Sequence, residues 1–374
     1  MIFTYRSLDA EEAAVLDRIN EMRRQLRYYV VQEPRRWTGL LARMTRARAL
    51  RASNSIEGII VSAEDALAAI DNEDPTEADK STWQAVAGYH AAMDYILQRC
   101  RDQNFQFSKD VLLAVHFMIS QHDLNANPGN YRPGWVGVHN TQTGELVHEG
   151  VDRDLLESLV DELIDYMNDA DEQPVILKAA MTHLNLTLLH PFSDGNGRTA
   201  RCFQTAVLTN EGIVAPIFSS IEEYTGRNQQ EYYDVLTEVG GGGWNPERDS
   251  QPWVRFCLKA HFRQARTLLR RTREIERVYN DLHKLVTGLG LPERTALALV
   301  EALSGLRVRN ASYRVSSDIS NNLASRDLKA LVDAELLVPQ GERRGRSYSP
   351  ADLVQQIRNR HRTAKEVEDP FASW

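Results

Sequence analysis

Apolar residues recurring three and four positions apart run through most of this chain, a spacing that commits it to packed helices rather than a large sheet. Residues 8–32 show the pattern, with Asp9, Glu11 and Glu12 in the first turn, where the helix dipole favours negative charge. Residues 36–52, rich in Arg, Ala and Leu, predict a second helix ending near Asn54. Ser62 is placed to cap a short helix running to Ile70. Residues 83–98, 110–119, 153–168 and 174–189 continue the series. Between about 123 and 150 the signal changes. Pro128-Gly129 and Pro133-Gly134 are turn pairs, and residues 135–138 followed by Thr143-Gly144-Glu145 predict a short hairpin.

A chain of 374 residues has room for roughly two or three domains. Hydrophobic residues at 42% and charged residues at 26% are ordinary globular values, which excludes a disordered chain. The net charge of −8 argues against blanket binding to nucleic acid or anionic membrane, though not against a local basic patch. Three cysteines, Cys100, Cys202 and Cys257, lack metal-ligand spacing and point to a reducing compartment. With no leader pattern and no long apolar run, the expected location is cytoplasmic, with no membrane contact.

Gly240 to Gly243 form the clearest flexible spot. Residues 251–286 then predict a long helix with Pro252 in its first turn, and residues 261–280 hold six arginines against two glutamates. Beyond it, helices near 293–304, 312–319 and 323–334 precede two short strands flanking a polar turn at 340–345. That order is the pattern of a winged helix. Arg326 and Lys329 on its third helix, with Arg343, Arg344 and Arg346 in the wing, are suited to DNA phosphates. A solvated charged face or a dimerisation module is the plainer reading.

The most informative stretch is His190-Pro191-Phe192-Ser193-Asp194-Gly195-Asn196-Gly197-Arg198-Thr199-Ala200-Arg201. Pro191 disfavours helical geometry at His190, so the preceding helix should stop there. Gly195-Asn196-Gly197 tolerate positive φ, which lets successive N–H groups converge on an anion. A helix beginning near Arg198 would aim its positive end at the same spot, and Arg198 and Arg201 would share one of its faces. An imidazole, a carboxylate, an anion nest and two guanidinium groups are the parts for phosphoryl or nucleotidyl transfer. His190 and Asp194 offer too few ligands for a metal hydrolase.

These residues resemble, at every defining position, the Fic (filamentation induced by cAMP) signature HxFx[D/E]GNGRxxR, and the likeness extends over about 105–260, from Tyr131-Arg132 to Tyr232-Tyr233. The resemblance implies a mainly α fold, a helical core with a β-hairpin flap, transferring AMP from ATP to a hydroxyl of a target protein. His190 would be the base, and Asp194 would hold Mg²⁺ on the phosphates. Gly195, Asn196 and Gly197 would bind phosphate through N–H groups and the Asn196 amide, with Arg198 and Arg201 neutralising the outer phosphates. Phe192 anchors the loop. Tyr232 would line the adenine pocket, although a Tyr pair on a helix also serves as core packing. The 135–148 hairpin would be the flap that aligns the target by strand addition. Ser53-Asn54-Ser55-Ile56-Glu57-Gly58 fits the family's inhibitory pattern [S/T]xxxE[G/N]. Its glutamate, Glu57, would reach Arg201, as in the subclass with an N-terminal inhibitory helix.

The expected organisation is therefore an N-terminal helical region with the inhibitory motif (1–104), a Fic core (105–262), a helical linker (263–290), a winged-helix-like domain (291–350) and a tail (351–374). The expected function is autoinhibited protein adenylyltransfer. Removal of AMP by the same site, and a DNA-binding regulator with a Fic sensor core, are the alternatives. Partners would be a target protein at the flap, a second copy in a homodimer, and DNA through 291–350.

Overall fold

The computed structural model describes residues 1–27, 37–140, 143–170, 173–210, 220–341, 346–365 and 367–372, and these are mainly helical. They pack as two units. One comprises Met1–Arg23, Arg46–Ala265 and Glu368–Trp374, the other Arg24–Thr45 and Arg266–Val367.

In the first unit, α1 (Ala10–Arg27) opens on a reciprocal cap: Glu12 donates its N–H to Asp9 Oδ1 at 2.8 Å, and Asp9 donates its own to Glu12 Oε2 at 3.0 Å. Helix α2 (Thr38–Ile56) extends past Asn54 to carry Ser53 and Asn54 on a buried face. The predicted Ser62 cap is present, its hydroxyl accepting from the N–H of Asp65 at the start of α3 (Ala63–Asp71). Asp79 caps α4 (Lys80–Arg99) and Ser108 caps α5 (Lys109–Ser120) in the same way. A hairpin follows, β1 (Gly137–His139) antiparallel to β2 (Leu146–Glu149), with an irregularity between Val138 and His139. The chain returns to helix in α6 (Arg153–Asn168), whose bounds coincide with the periodicity.

At the centre of this unit lie α7 (Val175–Leu189) and α8 (Asn196–Asn210), packed against each other and buried along almost their whole length. They are enclosed because α4 and α5 pack on α8 and α6 packs on α7, and the polar side chains they bury, such as Asn185, Arg198 and Arg201, are held inside the unit. Helices α9 (Glu222–Arg227) and α10 (Gln229–Gly240) follow. The first part of α11 (Gln251–Gly288) buries Trp253, whose indole N–H donates to the Ala180 carbonyl at 2.8 Å. The glycine run after α10 is tied down, since the Gly242 carbonyl accepts from the Glu149 N–H at 2.9 Å.

The second unit continues α11 and adds α12 (Thr295–Leu303), buried throughout, then α13 (Asn310–Ser317) and α14 (Asn321–Asp333). The hairpin of β3 (Leu337–Gln340) and β4 (Ser347–Pro350) follows, and Val308 forms an antiparallel bridge to Tyr348. Arg343 and Arg344 of the expected wing lie outside the described residues. A further helix, α15 (Asp352–His361), occupies part of the stretch read as a tail; it buries Val354 and Ile357 and packs on α12. Its single turn-and-a-half of apolar spacing is too short to register as periodicity.

Candidate active site

The α7–α8 connection is the loop singled out by sequence. Helix α7 ends at His190, which adopts left-handed geometry (φ 51°) and donates its backbone N–H to Leu186 O at 3.3 Å. Gly195 also has positive φ, +80°, and its carbonyl already accepts from the Thr199 N–H. Helix α8 therefore begins at Asn196, two residues before the expected Arg198.

The His190 ring is held by its Nδ1, 3.1 Å from the Thr187 carbonyl. A carbonyl only accepts, so Nδ1 carries the proton and Nε2 keeps a lone pair. Burial pushes the imidazole pKa down to about 4, against the opposing pull of the Thr187 carbonyl; His148 and Arg132 lower it further and Glu57 raises it. The ring is thus neutral at neutral pH. Arg132 fixes the same turn from behind. Its Nε donates to the His190 carbonyl at 2.8 Å, its backbone N–H to Pro191 O at 2.9 Å, and its other nitrogens to the Gly134 and Val151 carbonyls.

Phe192 is fully buried and stacks on His116, with ring centroids 3.7 Å apart. His116 on α5 accepts the Gly129 N–H at Nδ1 (3.1 Å), which leaves Nε2–H to donate to the Asp194 carbonyl (3.0 Å). Sequence reasoning missed this residue, because one histidine on an apolar helix reads as core. Asn196 also serves the loop. Its Oδ1 accepts from the Phe192 N–H at 2.9 Å and its Nδ2 donates to the Phe192 carbonyl at 2.8 Å, so the amide expected on phosphate is engaged with backbone.

Asp194 presents an exposed carboxylate, 3.0 Å from Arg198 Nη2. Arg198 is otherwise buried, and its Nε and Nη1 have no partner. Arg201 is 1% exposed; it donates Nε–H to Ser53 Oγ at 2.6 Å, and Nη2 to the Ser53 carbonyl at 3.1 Å and to Glu57 Oε1 at 2.6 Å. Its Nη1 has no partner. Burial alone would lower the Arg201 pKa, but Glu57, then Tyr232 and Tyr89, lift it above its ordinary value. The Glu57 carboxylate lies so close over Gly197 that a Cβ there would collide with Oε1. The two segments thus meet across a sequence separation of 144 residues.

Tyr232 has the core packing that a Tyr pair on a helix can serve. It is 2% exposed, donates its hydroxyl to His183 Nε2 at 2.9 Å, and sits among Trp253 and Phe256. Tyr233 is the outward member of the pair, 43% exposed, with its hydroxyl on the Ile56 carbonyl at 2.8 Å. His148, on β2, donates Nε2–H to the Leu188 carbonyl at 2.7 Å and so pins the hairpin beside the loop. Among the described residues no cluster of three or more His, Cys, Asp or Glu could hold a metal ion, and no helix is long and apolar enough to cross a membrane.

The helical core whose central loop gathers a neutral imidazole, an exposed carboxylate and partly unsatisfied arginines is the part of the chain that resembles known proteins. The Fic/DOC family profile matches residues 106–208, so the chain carries a Fic domain. It is 35% identical over 179 residues to the protein adenylyltransferase fic-1 of Caenorhabditis briggsae, a match covering 46% of this chain and 31% of that protein. It is 26% identical over 178 residues to the protein adenylyltransferase Fic of Nematostella vectensis, covering 46% and 37%. The chain spans about a third of the length of these curated relatives. In fold it is similar to a Fic family protein from Desulfovibrio desulfuricans G20, with a TM-score of 0.61 at 23% identity over 94% of this chain and 99% of that one.

Proposed function

We propose that this chain is a protein adenylyltransferase that moves AMP from ATP to a hydroxyl side chain of a target protein and is held in check by Glu57. The observation that carries the reading is the set of buried guanidinium donors left without partners at Arg198 Nε, Arg198 Nη1 and Arg201 Nη1. Buried donors of this kind are costly unless an acceptor arrives, and a triphosphate supplies several.

Transfer then needs little from the protein beyond positioning and proton removal. The target hydroxyl oxygen attacks the α-phosphorus as its proton passes to His190 Nε2, and the bond to the bridging oxygen breaks to release pyrophosphate. The backbone at Gly195 to Gly197 and the start of α8 offer N–H groups to the phosphates. The exposed Asp194 carboxylate would hold a Mg²⁺ arriving with the nucleotide, which suits an ion that rarely uses an all-protein cage. Bound there, Mg²⁺ would offset phosphate charge. The hairpin offers a docking edge at β1, since Glu149 of β2 is bonded to the Gly242 carbonyl. With Glu57 on Arg201, the outer phosphates are denied that guanidinium and the α-phosphate is misaligned for attack.

Residues 291–350 fit a winged helix: three helices, a hairpin, and Val308 adding a third strand position beside Tyr348. Removal of AMP from a target is the second reading, favoured by the 24% exposure of the Glu57 side chain, enough to position a water.

The test uses ATP labelled in its α-phosphate, Mg²⁺ and a cell lysate. Glu57→Gly should carry out transfer, including to itself, at about ten- to a hundredfold the wild-type rate, the equivalent of a charge-assisted bond of about 1.5–3 kcal/mol. His190→Ala in that background should lose about 10²–10⁴-fold. A folded Glu57→Gly protein that labels nothing would remove the proposal. If it instead loses the ability to release AMP from a labelled target, the second reading replaces the first.

A further inference from the structure

The α13–α14 pair is built as a helix–turn–helix. Helix α13 ends at Ser317, Asp318 turns the chain in left-handed geometry, and Ser320 caps α14 by accepting from the Leu323 N–H. Only three residues separate the helices. Helix α14 is sorted by chemistry as well as by polarity. Ala324, Leu328 and Leu331 are fully buried against the unit's core. Asp327, the one acidic residue in its first two turns, faces the same way, held by Arg294 at 2.7 and 2.9 Å and by the Tyr313 hydroxyl at 2.9 Å. The outward face is Asn321, Asn322, Ser325, Arg326 and Lys329, with Asp333 at its C-terminal end, all exposed. Turning the Asp327 carboxylate inward leaves amides, a hydroxyl and two cations over residues 321–329, with Asp333 as the one exposed carboxylate at the far end of the helix.

The surrounding charge matches. Residues 291–365 contain 13 Lys and Arg against eight Asp and Glu, in a chain whose net charge is −8. A basic module on an acidic protein is the electrostatic footprint of a phosphate-bearing partner.

We infer that the outward face of α14 docks in the major groove of duplex DNA, with Arg326 and Lys329 and the neighbouring amides of Asn321 and Asn322 meeting phosphates and base edges. The inference rests on the winged-helix reading of residues 291–350 and is independent of AMP transfer. Helix α14 is 13 residues long, and the B-form major groove admits a helix with its side chains. The A-form groove of duplex RNA is too deep and narrow for one, so the partner is DNA.

The experiment measures fluorescence anisotropy of a labelled mixed-sequence 30-base-pair DNA titrated with the full-length protein at several salt concentrations. Binding should be strongest at low salt and fall steeply as salt rises, by counterion release. The Arg326→Glu/Lys329→Glu double variant should bind at least about tenfold more weakly, and the two neutral variants Arg326→Ala and Lys329→Ala should each reduce the salt slope by about one. Far-ultraviolet circular dichroism checks that each variant is folded. Absence of binding at low salt, unchanged affinity of the folded double variant, or equal affinity for duplex RNA would each overturn the inference.

Discussion

The proton position on His190 follows from one carbonyl. Because Thr187 O can only accept, the ring is locked with Nε2 open, and because the ring is partly buried it resists protonation. The acidic limb of the proposed transfer reaction should therefore fall well below the ordinary histidine value of about 6.5, toward the shifted value of about 4. In the Glu57→Gly protein the limb should lie lower still, since Glu57 is among the groups that raise this pKa. Initial rates of Glu57→Gly between pH 4.5 and 8 check this, and a half-maximal rate at the ordinary value would refute it. Folding is linked in the same sense. A histidine whose folded pKa is depressed lends stability above its unfolded pKa and loses it as pH falls toward the folded one. Most of this site was legible in sequence, because a loop read by its own backbone needs Gly, Asn and Pro at fixed offsets. His116 does its work through a backbone carbonyl and a backbone N–H, which leave no pattern. The bonds of the Asn196 amide to the Phe192 backbone are likewise invisible in a sequence, which shows the residue type but not which groups of a tight loop its amide meets.

At the scale of elements, the helices with side-chain caps or strong periodicity, such as α3 and α6, were predictable to within a residue or two. Those carrying only two buried positions, such as α15, were not. Packing between elements also creates a titrating group that no sequence pattern reveals. Glu222 opens α9 and is enclosed between α4 and α8, with the Tyr89 hydroxyl donating to its carboxylate. Burial raises its pKa to about 7, although Tyr89 and Arg201 favour the ionised form. A carboxyl whose folded pKa is raised contributes stability below its unfolded pKa, and that contribution is lost as pH rises through the folded value. Stability should thus decline from about pH 4.5 to 7 through this group. Glu222→Gln, which stays neutral, should flatten that part of the urea-unfolding profile, and an unchanged slope would place the titration elsewhere.

For the molecule as a whole, α15 changes where the C-terminal module ends. Val354 and Ile357 are buried within the second unit, so residues 291–365 should fold alone, whereas 291–350 should lose about 1.5–3 kcal/mol for each apolar side chain left without cover. Thermal unfolding of the two fragments compares them directly; equal midpoints would make α15 an ornament. The proposed inhibition has a wider consequence. Glu57 reaches Arg201 because the end of α2 is folded and packed, with Ser53 buried on the same guanidinium. Under that proposal the inhibited state is the better-ordered one, and whatever loosens the end of α2 should release catalysis before the core melts. Order and output oppose each other. A stabilising osmolyte that raises the melting temperature should depress the wild-type rate while leaving Glu57→Gly nearly unaffected, and parallel changes in the two proteins would dissolve that antagonism.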